Sequence, residues 1–170
     1  MARMRLAWIK TGFPYQCSIL SRAVATLKAG TVRLLLCHGA KVERSLLYDV
    51  VANTTPEVEH PVLLIVKDLI VYGSAGRDLI NIAGISASGE QLGMSALLSA
   101  IATRKYDVAR YLVYRGADIN FTSPARFGSF QPRDAEGWAA YYTEESTFHQ
   151  PTEADLLFYR FITNVRRAVR

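Results

Sequence analysis

Apolar positions along this chain recur at helical spacing in short bursts, and the bursts come in pairs. The pattern is clearest over residues 93–120. Leu97, Ala100 and Ile101 fall on one helix face, three and four residues apart. Ser95 precedes them where an N-cap is wanted, since its hydroxyl can accept a hydrogen bond from an orphan N–H of the first turn. Asp107 opens a second burst, where a negative charge suits the helix dipole. Val108, Tyr111 and Leu112 form the apolar stripe of that second helix. Gly116 then stands where a left-handed C-cap is needed, a conformation glycine adopts without a Cβ penalty. Ala117 is small where the helix end and the following hairpin crowd together.

The layout recurs upstream. Residues 18–25 predict a first helix, and residues 31–43 a second helix, its cap and an extended exit. Gly39-Ala40 and Gly116-Ala117 occupy equivalent points 77 residues apart. Two helix-pair repeats of about 33 residues would span about 66, so one further pair with insertions fits between them. Its predicted parts are a helix over 46–52, a long turn over 53–61 and a second helix over 62–72. Either Gly73 or Gly76 would cap that helix, and a Gly- and Ser-rich finger would run over 74–92. Both ends look like partial repeats. Residues 5–12 match a second helix with its glycine cap, and residues 134–141 match the start of another pair. A last helix is predicted from Thr152, which makes a capping box with Asp155, and Leu157, Phe158, Phe161, Ile162 and Val165 form its stripe.

With these residues in place, the chain resembles the ankyrin repeat family. The likeness is clear over 93–120, good over 16–43 and degenerate elsewhere. The family's Thr-Pro-Leu-His motif appears as Ser95-Ala96-Leu97-Leu98, without the proline and the histidine. The Gly-His turn between the two helices is replaced by Arg104-Lys105. Helix spacing and the Gly-Ala cap survive. The resemblance implies an all-α solenoid of antiparallel helix pairs with hairpin fingers, binding a protein partner through its fingertips and concave face, without catalysis. One domain over 1–170 would comprise a partial repeat (1–14), a repeat (15–44) and a divergent repeat with a long finger (45–92). A repeat with a long finger (93–133) and a degenerate repeat with a C-terminal capping helix (134–170) would complete it.

Fingertip residues are not needed for stacking, so they are free to specify a partner. The expected contact residues are Lys41, Glu43 and Arg44 in the first finger and Arg77 and Asp78 in the second. In the third they are Phe121, Arg126, Phe127, Phe130 and Arg133. That third finger exceeds the usual repeat by roughly ten residues and mixes Phe with Arg, residue types enriched in binding hot spots. The other reading is that Phe127 and Phe130 fold back over the end of the solenoid.

Composition and charge bound these expectations. In 170 residues, 50% are hydrophobic and 21% charged, enough for a sizeable core in one domain or one short solenoid. Cys17 and Cys37 are too few for a disulfide framework, and no apolar run approaches the ~20 residues that span a bilayer. The start, MARMRLAWIKTGF, has the basic end of a secretion signal but no apolar core behind it. An intracellular location, cytoplasmic or nuclear, is expected. The net charge of +5 is uneven: residues 1–42 carry seven Lys or Arg and no acid. Such a start also suits a mitochondrial presequence, although the same residues carry a repeat pattern that a cleaved segment would not need.

Positive charge opens a second class of function, binding to anionic membrane or nucleic acid. The final helix carries Arg160, Arg166, Arg167 and Arg170. A terminal cap explains them better, with the stripe inward, the arginines in water and the six acids of 134–155 nearby. The bases of 1–42 are spread over helix positions without interleaved aromatics, which points away from nucleic acid. A third reading is a piece of a longer array, because the stripe of Leu6, Trp8 and Ile9 lacks its own first helix. No cofactor or metal is implied. Cys17, Cys37, His38, His60 and His149 show no zinc-site spacing, Glu144-Glu145 diverge on a helix, and the glycines from Gly84 to Gly93 lack the strand-then-helix setting of a phosphate loop.

Overall fold

The structure, a computed structural model, describes residues 18–73, 79–85, 91–123, 133–144 and 150–169. The predicted partial repeat of residues 5–12 lies outside them. The described residues form four helix pairs: α1 (Ile19–Ala25) with α2 (Ala29–Cys37), α3 (Leu46–Ala52) with α4 (Glu59–Tyr72), α5 (Ala96–Ala102) with α6 (Tyr106–Tyr114), and α7 (Ala135–Tyr141) with α8 (Glu153–Val169). A two-stranded antiparallel hairpin, β1 (Ala83–Ile85) with β2 (Gln91–Ser95), precedes α5. The fold is an all-α repeat, and the hairpin is a finger projecting from it.

First helices stack on first helices in the order α1, α3, α5, α7, and second helices follow as α2, α4, α6. Each pair also packs on itself. The core runs through the stack: Leu20, Val32, Leu47, Val51, Ile65, Leu69, Leu97, Ile101, Val108, Leu112, Phe158 and Ile162 are all buried. Every residue of α5 from Ala96 to Ile101 is buried, as expected for a helix covered by neighbours on both sides. Burial of each large apolar side chain contributes about 1.5–3 kcal/mol.

The capping residues fall where the pattern places them. The Ser95 hydroxyl accepts from Leu98 N–H at 3.3 Å, and Ser18 accepts from Ser21 N–H at 3.1 Å. Thr152 and Asp155 exchange bonds in both directions, with Asp155 N–H donating to the threonine hydroxyl and Thr152 N–H donating to the carboxylate. One turn geometry closes four helices. At the ends of α2 and α6, Gly39 (φ +81°) and Gly116 (φ +93°) take the left-handed position. At the ends of α1 and α5 the same bond pattern is held by Leu27 (φ +53°) and Arg104 (φ +56°). A left-handed side-chain residue costs about 1–2 kcal/mol, and the following residue offsets it by donating back to the helix, Lys28 N–H to Ala23 and Lys105 N–H to Ala100.

Several sequence expectations are corrected. The turn expected over 53–61 is shorter: a 3-10 turn at Pro56–Val58 leads straight into α4 at Glu59. Pro61 fits there because first-turn residues of a helix have no intrahelical acceptor for an N–H. Gly73 is the C-cap of α4 but in extended backbone (φ −69°, ψ 138°). It is needed for close approach, since a Cβ there would collide with the Leu69 carbonyl oxygen. Gly76 lies outside the described residues. The segment expected as an extended finger over 74–92 contributes Leu79 and Ile80 to the core before the hairpin begins. In α8, Phe158 and Ile162 are buried, but Leu157 is exposed, a helical step away from the inward face.

Each junction between pairs contains a buried ionisable group met from the neighbouring pair. Between the first two, Asp68 of α4 accepts both Arg33 Nε and Nη2 at 3.1 Å. Between the second and third, the fully buried Lys105 donates from Nζ to the Val51 carbonyl at 2.9 Å and to Thr103 Oγ1 at 2.7 Å. At the same junction Glu59 of α4 accepts from the Asp107 and Val108 N–H groups at 2.7 and 3.1 Å, capping α6, which has no side-chain cap of its own. Between the third and fourth, buried Asp155 accepts from the Tyr106 hydroxyl and pairs with Arg104 at 3.3 Å. Burial opposes the Asp155 charge, but the bonds from Tyr106 and Thr152 and the Arg104 cation outweigh it, so the carboxyl stays below its ordinary range. Arg166 of α8 is held by Asp134 and Glu136 at 2.9 and 2.5 Å. At least this part of the acidic stretch does face the C-terminal arginines.

Two glycines separate backbone strain from helix propensity. Gly30 lies exposed within α2 with nothing near its would-be Cβ, so Gly30→Ala should stabilise by about 0.5–1 kcal/mol. Gly116→Ala meets equally open space but a positive φ, and should destabilise by about 1–2 kcal/mol in urea unfolding. Equal effects of the two changes would contradict the left-handed cap.

Burial drives Lys105 down from 10.5 to about 8, against the opposing pull of Glu59 and Glu57. Between those values the unfolded chain binds more protons, so stability rises with pH across that window. Below it the buried charge weakens the fold; above it that penalty is gone. Wild type should gain on the order of 1–3 kcal/mol relative to Lys105→Met between about pH 7.5 and about pH 10 in urea unfolding. A difference that stays flat with pH would show that the amine is not desolvated.

Candidate partner-binding surface

The fingers are set by the helix caps behind them. In the first, the left-handed Gly39 turns the chain out of α2, and Lys41, Glu43 and Arg44 follow, all exposed. Glu43 is partly committed to structure, since its carboxylate accepts from the Ser21 hydroxyl at 2.8 Å and ties the finger back to α1. Lys41 and Arg44 project beside it. In the second finger the hairpin is fixed by its strand register, Ala83 opposite Ser95 and Ile85 opposite Gln91, with a bulge between. Arg77 and Asp78 lie outside the described residues.

The third finger is built most firmly at its base. Asp118 accepts from Asn120 N–H at 2.9 Å, a local turn that carries the chain away from Gly116. Ile119 is buried and Phe121 half-buried against the core. Ser123 N–H donates to the Arg133 carbonyl at 3.1 Å, and Ala135 N–H donates to the Ile119 carbonyl at 3.3 Å, so the finger leaves and rejoins the stack at one closed neck. Arg126, Phe127 and Phe130 lie beyond that neck, outside the described residues. Arg133 sits at the neck with its guanidinium 4.4 Å from the Tyr141 ring centroid and 5.8 Å from that of Trp138. Trp138 and Tyr141 meet edge to face at 6.1 Å, and both are half-exposed.

The structure therefore brings Arg133 onto an aromatic group of α7 and keeps Phe121 at the base of the same finger, while the first-finger residues stand at the other end of the stack. Sequence reasoning missed Trp138 and Tyr141. Their signal is local, two aromatics in the short helix that opens directly after a long finger. It also missed Asn81. That side chain accepts from Asp118 N–H at 2.8 Å and donates to the Gly116 carbonyl at 3.4 Å, clamping the third finger from the second. Asn81 lies 37 residues before Asp118, about one repeat period, which no local motif spans.

Other chemistry is sparse. Cys37, His38 and His60 are exposed, and His149 and Cys17 lie outside the described residues. Among the described residues, no group of three or more His, Cys, Asp or Glu side chains is placed to hold a metal ion. Among them, no helix is long and apolar enough to cross a membrane.

Residues 92–124 match the family model of the ankyrin repeat. The match covers β2, α5, α6 and the neck of the third finger, the region where Ser95, Gly116 and Ala117 carry the pattern. No curated protein and no solved structure matches the chain. Ankyrin repeats are generally protein–protein interaction modules and typically non-catalytic.

The Asn81 clamp has a measurable consequence. Asn81→Ala removes two solvent-exposed hydrogen bonds, to Asp118 N–H and the Gly116 carbonyl, and should cost about 0.5–1.5 kcal/mol. The amide of Asp118 should exchange faster with solvent than the buried amides of α6. Unchanged exchange at Asp118 would mean that the clamp does not hold in solution.

Proposed function

We propose that the chain is a non-catalytic recognition scaffold that binds a partner protein through its fingers and the face of its first helices. The helix pairs support a division into a repeat over 15–44, a divergent repeat over 45–92 and a repeat over 93–133. A partial repeat (1–14) would precede them, and a degenerate repeat with a capping helix (134–170) would close the array. The observation that carries the reading is the neck of the third finger. There a cation lies on two half-exposed aromatic rings beside a long finger that contains Arg126, Phe127 and Phe130. Trp, Tyr and Arg dominate protein interface energetics, and their rings lose little conformational entropy on binding. The stacked Arg133 is already ordered, so a partner meets a preformed surface.

The remaining candidates take supporting positions. Lys41, Arg44, Arg77 and Asp78 would form a polar rim on the earlier fingers, with Glu43 anchoring the first. Phe121 would bridge core and finger. An intracellular location, cytoplasmic or nuclear, accords with two cysteines in 170 residues.

Affinity capture from lysate at low and raised salt tests this. A protein retained by wild type at raised salt should be lost with Arg126→Ala/Phe127→Ala/Phe130→Ala. It should bind at least about tenfold more weakly to Arg133→Ala/Tyr141→Ala, about 1.4 kcal/mol. Retention unaffected by both variants would remove the fingers from the interface. Recovery of nucleic acid or lipid that washes off in salt would replace protein recognition with phosphate binding.

A further inference from the structure

The outer face of the second helices carries a feature that the fingers do not explain. Lys67 of α4 and Arg115 at the end of α6 both lie over the ring of Tyr111, at 5.6 and 5.9 Å from its centroid. Leu64 and Val71 flank Lys67 on the same face of α4, three and four residues away, whereas Tyr114 on α6 turns to the far side, its ring 5.9 Å from that of Phe161 in α8. Leu64 is 40% exposed and Val71 55% exposed, high values for large apolar side chains on a helix whose inward face is fully packed. Neighbouring cations on this face are already satisfied: Arg33 by Asp68 and Arg110 by Asp107, each at 3.1 Å. Lys67 and Arg115 have no carboxylate within salt-bridge distance among the described residues.

We infer that the outer groove between α4 and α6 docks a short acidic segment of a partner protein, with carboxylates on Lys67 and Arg115 and an apolar anchor on Leu64 and Val71. Stacking on Tyr111 holds both cations in place and leaves their N–H groups free to donate. The 9-residue α6 gives a groove about 13 Å long, room for two to three turns of an amphipathic helix. Charge decides among occupants. A second copy of the chain would bring like charges together, and the N-terminal residues carry Arg3, Arg5 and Lys10 with no acid. Two available cations are also too few for nucleic acid, where about 6–10 phosphate contacts are typical. Two cations alone are likewise too few to hold the chain on an anionic membrane.

The test uses the full chain and a labelled probe peptide, a 14-mer with Glu on one helix face and Leu and Phe on the other. Two peptides of the same length, with Gln or Lys in place of Glu, serve as controls. Wild type should bind the Glu peptide at least tenfold more tightly than the Gln peptide. Lys67→Glu/Arg115→Glu should abolish that preference and reverse it toward the Lys peptide, while Val71→Ala weakens the Glu peptide about fivefold. Arg133→Ala/Tyr141→Ala should leave it unchanged, separating this groove from the finger surface. Lys67→Gln/Arg115→Gln, a milder change at surface positions, should lose the preference even where the double reversal disturbs folding. Equal binding of Glu and Gln peptides to wild type would overturn the inference. So would phosphatidylserine vesicles or a single-stranded oligonucleotide binding more tightly than the Glu peptide through the same two cations.

Discussion

No helix in the first-helix row of this chain can exist by itself. Each is 7 residues long, whereas an isolated helix needs about 12–15 residues to be even marginal in water. The helical state is therefore a property of the stack. α5 illustrates the dependence, because six successive residues of it are removed from water by neighbours before, behind and beneath it. Caps at Ser95 and Ser18 decide where such helices start, but lateral burial decides that they form.

Apolar burial is non-directional, and a row of similar short helices could slide or shift register. The buried ionisable groups remove that freedom. Asp68, Lys105 and Asp155 each reach a partner that belongs to the neighbouring pair, so a slipped junction would leave a buried charge alone. The cost is largest at fully buried Asp155, about 3–5 kcal/mol if Arg104 is lost, and smaller at Asp68, whose partner Arg33 is 61% exposed. Lys105 also explains how the turn between α5 and α6 works without the family's Gly-His pair. Arg104 accepts the left-handed backbone and turns its guanidinium onto Asp155, and Lys105 reaches back to α3. One dipeptide thus fastens its own pair to the pairs on both sides.

That arrangement separates a rigid body from the surfaces it presents. The neck of the third finger is closed by Ser123 and Arg133, clamped by Asn81 and backed by α7. The outer groove of α4 and α6 stands on the opposite helices, with its cations ordered by a ring instead of by carboxylates. Both surfaces combine a cation with an aromatic ring that remains partly in water, although one sits on first helices and the other on second helices.

Local signals in the chain place the caps of α5, α6 and α8 and the inward faces of α5 and α6, whereas the start of α4 and the outward turn of Leu157 follow from packing. Ser95, Asp107, Gly116, Thr152 and Asp155 act within a few residues of themselves, so their roles are legible locally. Residues whose partners lie a repeat or more away were not. Lys105 looked like half of a substituted turn, and only the stack brings it to Val51, 54 positions earlier. Asn81, Leu79 and Ile80 lie in a Gly- and Ser-rich segment whose partners, Asp118 and the apolar cover, come from other pairs. Glu59 lies where the local pattern predicts a turn, yet it caps a helix 48 residues away. Helix periodicity is encoded in every turn of chain, whereas contacts between repeats depend on insert lengths and on which side chains happen to meet. Only the tertiary structure decides those.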